Sequence, residues 1–242
     1  MELRDKNNTM DGYQETLDFK NKSIVEDNQK IKELQNSNVQ IYPISNEQVI
    51  SNTLDGIYKD LYDIFLINYS MGKDIYVVYK SYIDVVNAML DTQRIMYYTQ
   101  FLNIISAGIL FDAGSDIFLK FVDLIKKDTK YKCSKDYLIE LLINYKIPEY
   151  GRKNKHFLFK KPYQTFEQIE LLSKTNKIEA IMLLKKYLQK QWLPSNNTQS
   201  RGKTYHCGYW SFESGAMVKI LNLDDTIIKD LNYYPYDMVH YK

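Results

Sequence analysis

The sequence predicts an all-α protein, an antiparallel helical bundle in two helical parts, and three observations carry that prediction. In a chain of 242 residues, nine glycines and five prolines are too few for the many tight turns of a β-sandwich. Apolar residues recur at helical spacing through most of the chain. The links between these periodic stretches are short, which favours antiparallel neighbours.

Tyr13, Leu17, Ile24, Ile31 and Leu34 trace the stripe of a long, largely exposed first helix. After Pro43, Ser45 and Gln48 stand at capping-box spacing, where the hydroxyl accepts from the first turn and the glutamine reaches back. Val49, Leu54, Ile57, Leu61, Ile64 and Phe65 mark the buried face of the second helix, and Gly72 stops it. Ile75, Val78, Tyr82, Val85, Val86 and Met89 form a third face. Residues 96–110 form a fourth helix, apolar almost all round and therefore central.

Ile117, Phe118, Phe121, Val122 and Ile125 give a fifth helix. Ser134 is placed to cap a sixth, with Leu138, Leu141, Leu142 and Tyr145 inward and Pro148 preventing continuation. Residues 149–163 lack apolar periodicity and are dense in lysine, so they read as the boundary between a helical domain of residues 1–148 and a second of residues 149–242. They also read as the site most open to proteolysis. Thr165 and Gln168 form a second capping box. A longer helix follows over residues 178–192, with Ile181, Leu184 and Leu188 inward.

Residues 194–208 are a polar loop, and a last long helix starts near Ser211. On it Trp210, Ser214, Met217 and Leu221 share a face, and Ser214, Gly215 and Ala216 strip bulk from its centre, so another helix can approach closely. Glu213, in the first turn near Trp210, is expected to be partly buried and hydrogen-bonded. Asp224 or Asp225 is placed to cap a short following helix, with the tail of Tyr233 to Tyr236 lying back over the bundle.

Composition narrows the function. The first residues are polar, without the basic and apolar regions of a secretion signal, and the longest apolar run, residues 101–111, is about half the ~20 residues of a membrane span. The expectation is a cytoplasmic protein with Cys133 and Cys207 as reduced thiols. Charge is uneven: residues 149–208 carry 12 basic and 4 acidic side chains, among them Arg152, Lys153, Lys155, Lys160, Lys161, Lys185, Lys186 and Lys190. Such a segment fits either a nucleic-acid patch or two solvated helix faces.

No Gly-rich phosphate loop, paired-cysteine zinc pattern, HExxH or GxSxG occurs. His206, Cys207 and His240 do not make the four-ligand spacing of a structural zinc site, so no metal is expected. Arg201 and His206 are similar to the short Arg-x4-His motif of the HEPN ribonucleases, where His is the base and Arg stabilises phosphate charge. Here that motif falls in a polar loop with Gly202.

Residues 208–240 read GYWSFESGAMVKILNLDDTIIKDLNYYPYDMVH. The order of Tyr209, Trp210, Phe212, Glu213, the small-residue run, Asp224, Asp225, Tyr233, Tyr234 and Pro235 resembles the C-terminal domain of the PoNi-type immunity proteins, which protect bacteria against polymorphic DNase toxins. Asn68 to Gly72, ISAGIL at residues 105–110 and LLINYKIP at residues 141–148 extend the resemblance upstream. It implies an immunity protein that binds a cognate nuclease toxin, with no catalysis, no cofactor, no membrane and no direct nucleic-acid contact. The signature positions read as structural. For the partner, Asp60, Asp63, Asp74, Asp84 and Asp91 of the second and third helices alternate with the inward stripes and are expected to be exposed.

Overall fold

The computed structural model describes residues 2–37, 39–192 and 205–241, and among them there are helices and no strand. The fold is all-α. Two compact units emerge from the packing: Met1–Arg94 with Ser200–Gly208, and Ile95–Gln199 with Tyr209–Lys242.

The first unit holds α1 (Met10–Gln35), α2 (Asn46–Ser70) and α3 (Ile75–Thr92). Thr9 starts α1, its hydroxyl accepting from the Gly12 amide. Ser45 caps α2 in the same way through the Gln48 amide, but the Gln48 side chain bonds Asn52 one turn on, so only half of the expected capping box forms. Gly72, at φ 76°, ends the turn after α2 as expected. Asp74 then caps α3. The helices α1 and α3 each pack along α2 rather than along one another. Tyr13, Leu17, Tyr58, Phe65, Tyr82 and Val85 fill the core between them, and an Asn68 to Ser81 bond of 2.6 Å ties α2 to α3.

The second unit is built round α4 (Tyr98–Leu110), buried on nearly every side as its composition predicts. The same unit holds α5 (Ser115–Lys127), α6 (Tyr137–Lys146), α7 (Lys160–Tyr163), α8 (Thr165–Ser173), α9 (Lys177–Tyr187), α10 (Phe212–Leu221) and α11 (Tyr236–Val239), of which α6, α10 and α11 pack on α4. After α9 the chain continues as a π-turn over Leu188–Trp192. A cis peptide joins Lys161 to Pro162.

Four expectations are corrected here. The cap of α6 is Asp136, not Ser134: the carboxylate accepts from the Leu138 and Ile139 amides, while Ser134 sits in a short 3-10 turn. Tyr145 points outward, 43% exposed. At α8 no side chain caps, because the Thr165 hydroxyl bonds the Gln191 side chain instead. The residues after α10 form turns rather than a helix; Asp224 closes one of them through the Thr226 amide.

Residues 149–159 are polar in sequence yet firmly held. Glu140 accepts from the Lys153 and Asn154 amides and the Asn154 side chain, Asp136 from the Leu158 amide, and Arg152 grips Glu170 through two bonds of 2.7 and 2.8 Å. Carboxylates at the start of α6 thus satisfy backbone amides of a segment that has no apolar stripe of its own, while that of α8 holds its Arg152 side chain.

Candidate functional site

The signature residues converge in the second unit on a buried cluster. Glu213 in the first turn of α10 is 1% exposed, and accepts from the Tyr187 hydroxyl at 2.9 Å and the Ser211 hydroxyl at 2.8 Å. Ser211 in turn lies 2.7 Å from the Ser214 hydroxyl, and the Trp192 indole is a further donor to Glu213. Burial pushes the Glu213 carboxyl above its ordinary range, against these donors.

Gly215 explains the small-residue run. A Cβ there would stand 2.9 Å from the Pro235 ring, 2.9 Å from Val239 and 3.3 Å from Leu110, so α4, α10 and the tail approach across a surface where no side chain fits. Lys219 donates to the Leu110 carbonyl at 2.9 Å, closing the end of α4. The tail is fixed by a second carboxylate: Asp225 accepts from the Tyr234 hydroxyl at 2.6 Å and meets His240 at 3.0 Å. Tyr233 stacks on Trp192 at 5.0 Å and its carbonyl takes the Ser211 amide. Trp210, Phe212, Asp225, Tyr234 and Pro235 are buried, Tyr209 and Tyr233 half-buried, and Asp224 exposed.

In the first unit, His206 is buried. Its ring lies 2.6 Å from the Asp5 carboxylate and beside Tyr13, and Asn8 donates to its carbonyl. Burial raises the Asp5 carboxyl, but the His206 bond and the Asn7 amide outweigh it and leave it below the usual range. Arg201 lies outside the described residues. The buried His206 joins the segment around it to the start of the chain, an arrangement that the Arg-x4-His spacing did not anticipate. Cys133 and Cys207 are free and buried, and burial pushes both thiols up. Among the described residues no group of three or more His, Cys, Asp or Glu side chains could hold a metal, and no helix is long and apolar enough to cross a membrane.

The five aspartates expected at the surface divide into kinds. Asp60 and Asp63 both hold Lys20 of α1 at 2.7 Å, with side chains only 15% and 23% exposed, so the expectation of exposure fails for this pair. Asp74, Asp84 and Asp91 are exposed, Asp74 as the cap of α3. The lysines of the basic segment stay mostly in solvent, with Lys160, Lys161 and Lys190 around one depression.

Two family comparisons fit this geometry. The sequence model of the N-terminal part of the PoNe immunity proteins (PoNi) matches residues 4–123, and that of their C-terminal part matches residues 134–238. The chain belongs to the PoNe immunity protein family. The C-terminal PoNi match takes in the buried cluster around Glu213 and Asp225, and the N-terminal match takes in α1 to α3 with their aspartates. Among solved structures, protein PA2201 from Pseudomonas aeruginosa is similar at 16% identity over 90% of this chain and 86% of that one, with a TM-score of 0.64. At that identity the likeness establishes a shared fold. No curated protein matches the PoNi chain.

Proposed function

We propose that this chain neutralises a cognate PoNe nuclease toxin by binding it stoichiometrically in the cytoplasm of the cell that makes the toxin, without turnover of its own. Membership of the PoNi family over both parts of the chain carries the reading. The buried signature fits a scaffold role, since Glu213, Asp225 and Trp210 cannot meet a partner without unfolding. Recognition then falls to the exposed surface.

A nuclease that grips DNA must present positive charge to phosphate, and an acidic surface on its inhibitor steers association toward that same groove. Asp74, Asp84 and Asp91 are the contacts we propose among the five aspartates, with Asp60 and Asp63 shaping the surface through Lys20. Co-expression with a PoNe nuclease domain tests the function. Host survival together with a co-purifying complex is expected; loss of protection, or protection without a complex, would reject binding as the mechanism.

A further inference from the structure

Because α1 and α3 flank α2 without packing along one another, a groove of about 280 Å3 is left between them. Its apolar lining comes from positions on the core stripes: Ile24 of α1 and Leu54 and Leu61 of α2 remain half-exposed there, beside the buried Ile57 and Ala88. Asp84 and Asp91 of α3 stand on its rim.

The charges around it are not equivalent. Of the aspartates on α2 and α3, Asp55 is paired with Arg94, and Asp60 and Asp63 share Lys20. Asp84 and Asp91 make no ion pair among the described residues, although burial at the rim pushes the Asp84 carboxyl upward. A carboxylate partly withdrawn from water with no cation beside it is stabilised by one brought from outside. Seven residues on one helix separate the two by about 10 Å along the axis.

We propose that this groove docks a basic segment of the nuclease, with two lysine or arginine side chains about 10 Å apart meeting Asp84 and Asp91 and an aliphatic side chain between them seated on Leu54 and Leu61. The inference rests on the immunity reading and locates its contact. The charge pattern selects the occupant: the groove combines an incompletely covered aliphatic floor with two unneutralised negative charges, which suits a cationic protein surface and repels nucleic acid.

The test is the affinity of the full chain and of its D84K/D91K variant for the nuclease domain against which the wild type protects, at low and high salt. We expect the variant to bind about 100-fold more weakly, mostly through slower association, with a flatter salt dependence. The same charge change at the exposed Asp123 and Asp230, which do not line the groove, should stay within about 3-fold of wild type. If D84K/D91K does not fold, the near-isosteric D84N/D91N is measured instead, with about a 10-fold loss expected. Wild-type affinity in the variant would overturn the groove while leaving immunity standing, whereas a wild-type chain that binds no nuclease would overturn both. A self-associated wild type that D84K/D91K renders monomeric would assign the groove to a second copy, and so overturn the proposal.

Discussion

Glu213 is the side chain on which the second unit's buried polar cluster turns, and its chemistry can be isolated by substitution. A carboxyl whose pKa in the fold lies above its unfolded value of about 4.3 stabilises fully below that value, and the contribution is lost as pH rises through the folded pKa. E213Q keeps an acceptor for Tyr187 and Ser211 and carries no charge, so its stability relative to wild type should rise as pH increases above about 4.3. E213A leaves both hydroxyls without that acceptor and opens a void, which should cost about 2–4 kcal/mol. Denaturant unfolding of the three proteins at pH 5 and pH 8 measures both effects. An unchanged pH slope in E213Q, or wild-type stability in E213A, contradicts this assignment. The sequence made Glu213 legible as a buried acid because it stood close to Trp210 in a first turn. It could not show Asp5 and His206 as partners, since 201 positions separate them.

At the scale of elements, α10 shows how a glycine can be required inside a helix. Replacing it by alanine ordinarily gains about 1 kcal/mol of helix propensity, but the new methyl would meet the Pro235 ring and Val239, neither of which can swing aside. G215A should therefore lose about 1–3 kcal/mol net, the usual cost of overpacking. Urea unfolding decides it, and a more stable G215A would mean that the tail is not seated as described. The longer helices were legible because their apolar periods are long and unbroken, whereas the four-residue α7 and α11 have no period to read. Their caps were less so: Ser134 and Asp136 both suit a helix start, and the groups that meet Asp136, the Leu158 amide and the Tyr98 hydroxyl, are distant in sequence. Residues 149–159 looked like an open linker because hydrogen bonds to Glu140, Asp136 and Glu170 leave no periodic trace. The stripe on α2 identified Leu54 and Leu61 as apolar face without revealing that part of that face stays uncovered.

For the whole molecule, the family was legible in the order of a few aromatic, small and acidic residues, because a buried cluster of that kind tolerates little variation in spacing. The surface proposed for the partner was legible only as a charge pattern. The sequence could not show that one internal cation, Lys20 on a different helix and forty positions away from Asp60, pairs with both Asp60 and Asp63. Stoichiometric capture of a nuclease differs from every enzymatic alternative in one observable, the end point of a titration. The decisive measurement is DNA cleavage by a fixed amount of the cognate nuclease domain as the purified chain is added. Inhibition should rise linearly to completion at one chain per nuclease and should not deepen with incubation time. Complete inhibition by a small fraction of an equivalent, or persistent cleavage at a large excess over nuclease, would contradict neutralisation by binding.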